Sequence, residues 1–341
     1  MRISIYQPVP LPKHFALLAI GICSLLCHTA SAQTQPERFW LAGRYDGNRI
    51  IVYFDGVKFN GTMPTSEHKL APVIAERFFD PVELPASYVA QFQKGPKIEH
   101  FALGDQYDLL ADYDEVVTVT LTTLVGSEMD EEVGNDSFIG ALATVDEHDL
   151  PYLRKNHYVL RRHREPPAGK SNNMPKPNAV YAGLQVEPIP FDIQKQIVML
   201  LNEGMKSKAT ERERKEAAHL SPFFLAQAFR LADGTLRYYA RAEWGLGEEG
   251  TEGWKTVYAL GAWVGPLPRL HILAWEKRTS PYDGISSVLP DLLNVVNLGG
   301  GKTGIIVGIS GEDSGSLGLF EYRDGTSLRD MVLLHAIGSG E

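Results

Sequence analysis

Cysteine is nearly absent: the chain has two, Cys23 and Cys27, and both fall within its first 32 residues. Everything after residue 32 therefore lacks a disulfide staple, and it offers no thiolate as nucleophile or soft metal ligand. Long apolar runs are missing too, since nothing beyond the N-terminal stretch approaches the ~20 residues a membrane-crossing helix needs. Positive charge is in short supply, with 33 Lys and Arg against 42 Asp and Glu and a net charge of −9. That balance argues against nucleic acid, whose phosphates are held by clustered cations.

Familiar catalytic and metal signatures are also lacking. No Gly-x-Ser-x-Gly elbow occurs, and none of the histidines forms His-Glu-x-x-His or an i,i+4 helical pair, so neither zinc nor any other cofactor is expected. Gly299-Gly300-Gly301-Lys302-Thr303 ends like a phosphate loop. Its first glycine is replaced by Val296, however, and a strand pattern follows where a helix should, so it reads as a glycine-rich β turn. Asp313-Ser314-Gly315 and Ala217-Ala218-His219 have the residue types of a serine-protease pair without the flanking glycines or the apolar strand that such a pair requires.

What is present begins with a leader. Arg2 and Lys13 give a basic start, Ala16 to Cys27 is apolar, and Ala30-Ser31-Ala32 supplies the small residues of a cleavage site. Export to the periplasm or cell exterior with cleavage after Ala32 is expected, leaving no membrane span. Losing Arg2 and Lys13 and no acid would move the net charge from −9 to −11. The sequons at Asn60 and Asn135 are short enough to arise by chance.

Residues 33–164 read as an N-terminal β-rich domain. Phe39 to Tyr45 and Arg49 to Phe54 flank the hairpin turn Asp46-Gly47-Asn48. Tyr107 to Ala111 pairs in the same way with Val116 to Val125, whose alternating Val, Thr and Leu have the period of a half-buried strand. Phe138 to Val145 and Tyr158 to Arg162 add two strands, and Ala71 to Phe79 suggests a short helix. The proline-rich run 165–178 is the linker candidate, because proline lacks a donor and restrains its predecessor.

The C-terminal domain, residues 179–341, opens with a helical hairpin. Ile193, Ile197, Leu200 and Leu201 form an apolar stripe, and Thr210 with Glu213 makes a capping box before a second, charged helix. Seven strand-like runs follow: Phe223 to Leu231, Thr235 to Trp244, Trp254 to Val264, Leu270 to Trp275, Gly304 to Ser310, Ser316 to Tyr322 and Met331 to Ile337. The fold class expected is mainly β, two antiparallel sandwich- or barrel-like domains with the helices preceding the second.

Positive functional signals are few. Trp244, Trp254, Trp263 and Trp275 crowd into one stretch with Tyr239 and Tyr282. Such a cluster is either core or a platform for sugars, which stack on aromatic faces beside carboxylates. Strand parity sets Trp263 on the face opposite Tyr258. Glu243 and Glu276 are the candidate acid and base of a glycosidase if they oppose one another, although Glu243 alternates with Arg237, Tyr239 and Arg241 in what reads as a solvent-facing row. Asp130, Glu132 and Asp136 are candidate calcium ligands without the spacing of a defined loop. His157, Arg161, Arg162, His163 and Arg164, with Arg154 and Lys155, form a basic cluster that attracts an anionic partner or is neutralised by Asp146, Glu147 and Asp149. Together these features favour a non-catalytic module that binds carbohydrate or an extracellular protein. The alternative is a hydrolase using paired carboxylates, and a third possibility is self-assembly through an open sheet edge.

The leader gives a direct expectation: N-terminal sequencing of the exported protein should begin at Gln33. A mature chain that retains Met1 would contradict it.

Overall fold

The computed structural model describes residues 37–53, 82–83, 101–127, 138–163, 181–185, 187–218, 220, 222–246, 255–280, 289–310 and 315–338. Seven N-terminal strands form one antiparallel sheet: β1 (Phe39–Asp46), β2 (Arg49–Tyr53), β3 (Val82–Glu83), β4 (Gln106–Leu110), β5 (Val116–Ser127), β6 (Phe138–Thr144) and β7 (His157–Arg162). Six of them run β5-β4-β7-β1-β2-β6, and β6 pairs back onto β5, so the sheet closes into a barrel with β3 appended to β5. Closure leaves these six strands no free edge. Alternation then sorts the side chains. Trp40, Ala42, Ile50, Val52, Tyr107, Leu109, Val119 and Leu160 fill the interior, while Phe39, Leu41, Ile51, Tyr53, Leu110 and Val159 make an apolar stripe outside.

The C-terminal half builds two more sheets. Sheet B contains β8 (Gly183–Leu184), β9 (Phe223–Arg230), β10 (Leu236–Leu246), β11 (Lys255–Val264) and β12 (Leu270–Ser280), in the order β12-β11-β10-β9-β8. Sheet C contains β13 (Asp291–Gly299), β14 (Lys302–Ser310), β15 (Gly315–Glu321) and β16 (Val332–Gly338), paired in sequence order. Two helices, α1 (Phe191–Lys208) and α2 (Glu211–Ala217), cover one face of sheet B with Ile197, Leu201, Met205 and Ala217. The capping box is present, with the Thr210 hydroxyl accepting from the Glu213 amide and the Glu213 carboxylate accepting from the Thr210 amide.

Sheet C has apolar residues on both faces. Val296, Leu298, Ile306 and Leu319 pack on the outer stripe of the barrel, whereas Leu292, Val295, Ile305 and Val307 pack on Phe229, Tyr239 and Trp263 of sheet B. The layers therefore stack as helices, sheet B, sheet C and barrel, and Arg38–Glu341 form one compact unit. Close approach requires small residues within sheet C. A Cβ added to Gly304 would stand 2.9 Å from Leu298 Cδ2 and 3.0 Å from Val296 Cγ2, so those side chains close over the glycine. Gly299, Gly300 and Gly301, all at positive φ, make the β13–β14 turn, and Lys302 pairs with Glu321 at 2.9 Å. The glycine-rich stretch is thus a hairpin, as its sequence context indicates.

The leader 1–32, the linker 165–178 and the short helix 71–79 lie outside the described residues. A missed element is β13, whose Asn294 and Asn297 interrupt the apolar pattern. Both asparagines hold backbone. The Asn294 amide donates to the His157 carbonyl at 2.6 Å, and the Asn297 side-chain oxygen accepts from the Gly299 amide.

Polar hooks also join the barrel to β16. Leu41 lies one residue before its strand takes up pairing with β2, and its amide donates to His335 Nδ1 at 3.1 Å within the buried interface. Accepting there places the imidazole proton on Nε2. Replacing His335 by Leu should leave that buried amide without its acceptor and cost about 1–3 kcal/mol. The expected readout is a lower urea midpoint with an unchanged slope. A midpoint equal to that of the native protein would show that the amide finds another acceptor.

Candidate ligand cleft

The aromatic cluster divides between two layers. Trp244 is buried on the helix side of sheet B, and Trp263 and Tyr239 are buried on the side facing sheet C. Parity thus holds for Trp263 and Tyr258. Trp275 is half-buried on the helix side and stacks on Tyr258 at 6.0 Å with planes 10° apart. The Tyr258 hydroxyl donates to Glu216 at 2.6 Å, which fixes α2 to the sheet; burial, with the Glu216 charge, drives that phenol well above its ordinary pKa. Trp254, Tyr282, Asp130, Glu132 and Asp136 lie outside the described residues, as do Ser314 and His219.

Glu243 and Glu276 occupy one row. Each is a register partner of Ala259, so both carboxylates stand on the same face of sheet B, two strands apart. Two strand spacings separate their backbones by roughly 10 Å, and Glu276 lies 3.7 Å from Arg278.

The row Arg237, Tyr239, Arg241, Glu243 corrects the solvent-facing expectation. It points at sheet C, where Arg237 is 8% and Tyr239 1% exposed. Acids that are remote in sequence compensate the arginines. Arg237 forks onto Asp324 with bonds of 3.1 and 2.7 Å, Arg241 meets Asp291 at 2.5 Å, and the Tyr239 hydroxyl donates to the Pro290 carbonyl. Within the basic cluster, Arg161 and His163 contact buried Asp108, at 3.3 and 2.6 Å.

Beyond Trp263, at the tip of the β11–β12 hairpin, is a cleft of about 500 Å³ lined by Trp263, Gly265, Arg269, Leu270, His271, Asp324 and Gly325. Its volume lies within the range of small-molecule sites. The hairpin loop is tight: the Gly265 amide donates to the Arg269 carbonyl at 2.9 Å, and the Arg269 amide to the Pro266 carbonyl at 3.0 Å. Gly265 has φ +125°, and a Cβ there would come within 3.1 Å of Arg237 Cδ, so both conformation and space demand glycine. A bulge after Gly261 inserts Leu273 into β12, and Trp263 pairs directly with His271. Trp263 and His271 consequently share a face.

The floor of the cleft is rigid and aromatic. The Trp263 ring meets Tyr239, Tyr322 and Phe229 edge-on at 5.3, 5.5 and 5.6 Å. Yet Trp263 Nε1 and His271 Nε2, both buried, find no hydrogen-bond partner among the described residues. An unpaired buried donor costs about 1–3 kcal/mol. Sequence reading singled out Trp263 but missed His271, Arg269 and Asp324. Arg269 sits in the Gly-Pro-Leu-Pro loop and Asp324 in a turn motif, and only the fold brings those two loops together.

Electrostatics at the rim centre on Asp324. Its hydrogen bonds to Arg237 hold the carboxyl below the usual aspartate range, with a further bond from the Tyr322 hydroxyl at 3.0 Å. Burial, reinforced by the Asp324 charge, drives the Tyr322 phenol well above its normal range. A carboxyl depressed in the folded state stabilises the fold above its unfolded pKa of about 3.9, and that contribution fades as pH falls through the folded value. Asp324 is partly solvated, which screens the pair. Asp324→Asn should therefore lower the urea midpoint at pH 7, and the gap to the native protein should narrow as pH drops from about 5 toward 2. A gap independent of pH would show that the Arg237 pairing does not depend on the carboxylate charge.

No protein-family model, curated protein or solved structure matches this chain. What the cleft can hold has to be read from its own residues.

Proposed function

We propose that this is an exported, non-catalytic binding protein whose ligand is a carbohydrate-sized polar molecule held in the Trp263 cleft. The observation that carries the proposal is convergence: an indole, an imidazole, a guanidinium and an ion-paired carboxylate line a cavity of about 500 Å³ on a rigid aromatic floor. Preformed pockets with a few placed polar groups are what small-ligand sites require. Stacking on an open tryptophan face does not enter, because Trp263 is 2% exposed. Recognition rests on the polar residues that line the cleft with it, His271, Arg269 and Asp324. Glu243 and Glu276 are absent from the cleft lining, which favours binding over glycoside hydrolysis.

The test is a titration of tryptophan emission with a panel of neutral and acidic mono- and disaccharides, alongside chromatography for product. The expected result is a saturable emission change that Trp263→Phe abolishes, with every sugar recovered intact. Turnover of a sugar that disappears in Glu243→Gln or Glu276→Gln would replace this reading with the hydrolase.

A further inference from the structure

An unpaired edge strand is a template for another strand, and proteins blunt such edges by closure, cover, brevity, charge or proline. The six barrel strands have none, because β6 returns to β5. Sheet B ends on one side at β12, where Glu276, Lys277 and Arg278 stand in succession, and on the other at β8, which is two residues long. Sheet C ends at β13, which packs against β8, and at β16. The seven residues of β16, Val-Leu-Leu-His-Ala-Ile-Gly, include no acid, lysine, arginine or proline, and among the described residues this strand pairs with β15 alone. Of these edges it has the least protection.

Its exposed side chains are apolar. Val332 is 39% and Leu333 53% exposed, and Ala336 is exposed as well. Leu333 lies opposite Phe320 and Ala336 opposite Gly318, so both belong to the face turned to sheet B, whereas Val332 and Ile337 belong to the face turned to the barrel. A bulge at Leu334 puts that residue on the barrel face beside His335. Two copies of this strand complement each other. With a two-fold axis between Leu334 and His335, antiparallel pairing sets Leu333 against Ala336 of the partner subunit, a large side chain against a small one, and Val332 against Ile337 of the partner subunit. Each face then continues unbroken across the axis. The acids that give the chain its net charge of −9 lie outside β16, so no like charges stand directly opposite in the new pair.

We infer that β16 is a homodimer interface, pairing antiparallel with β16 of a second copy and doubling the four-stranded sheet C. One seven-residue strand pair is small for an interface, so the association is weak and reversible. The experiment is sedimentation equilibrium of the purified protein from about 1 μM to about 1 mM, the span of weak affinities. The mean mass should climb from one chain to two and no further. Leu333→Lys and Ala336→Lys, both at exposed positions, should each weaken the dimer at least tenfold while the urea midpoint at low protein concentration stays native. Hydrogen exchange gives a second readout: the outward amides of β16 should exchange more slowly at high protein concentration in the native protein and not in Leu333→Lys. A mass of one chain at every concentration would overturn the interface and leave the edge to a strand of another protein. A dimer that survives both lysines would place the contact elsewhere on the surface and overturn it equally. Growth beyond two chains would replace the two-fold pair with open-ended assembly.

Discussion

Sheet C has two apolar faces, and a four-stranded sheet cannot leave either in water. Ile305, Ile306 and Val307 show the constraint in three consecutive residues: the outer two face sheet B, the middle one faces the barrel, and none is more than 2% exposed. A strand buried on both sides reads as a continuous apolar run instead of an alternating one. Its partners carry the complementary surfaces. The barrel, already filled inside, has a second apolar stripe on its exterior, and sheet B has one face under the helices and another left for sheet C. Hydrophobic burial thus ties the last strands of the chain to the first.

Apolar contact of this kind is not directional, and orientation comes from the polar groups distributed through the interfaces. Asn294 reaches the His157 carbonyl, His335 accepts from the Leu41 amide, and the Thr303 hydroxyl accepts from the Ala232 amide at 2.8 Å. Each satisfies a backbone group that burial would otherwise strand. In the β4–β5 turn, Tyr113 and Asp114 adopt left-handed backbone, a costly conformation outside glycine. Asp114 accepts from the Ala182 amide at 3.3 Å, and Tyr113 meets Tyr181 edge-on at 5.6 Å. The strained turn is held by the segment that leads into sheet B.

Local structure was legible where the rules are local. The Asp46-Gly47-Asn48 hairpin, the alternation of β5, the Thr210 capping box and the glycine turn before β14 all follow from neighbouring residues. β13 escaped because a strand buried on both faces and broken by two asparagines has neither period. The facing of Arg237 and Arg241 escaped because their compensating acids, Asp324 and Asp291, lie 87 and 50 residues away in the chain. Within β12 the Leu273 bulge reverses parity, sending Trp275 to the helix side and His271 to the cleft. A composition rule that counts tryptophans cannot see that reversal. It gathered Trp244 and Trp275 with Trp263, although they serve a different layer.

The position of the cleft follows from the same stacking. Sheet C covers the Trp263 ring with Tyr322, Val295 and Ile305, and its turn at Asp324 and Gly325 lines the cleft together with the β11–β12 loop. The ring is therefore committed to the core, with its Nε1 unpaired among the described residues. Shielding from water strengthens any hydrogen bond made there. The surrounding packing already fixes the rotamer, so little conformational entropy remains to be lost when a partner arrives. A residue used in this way ties recognition to the layer contact itself. The barrel interior, by contrast, is filled by a separate set of side chains.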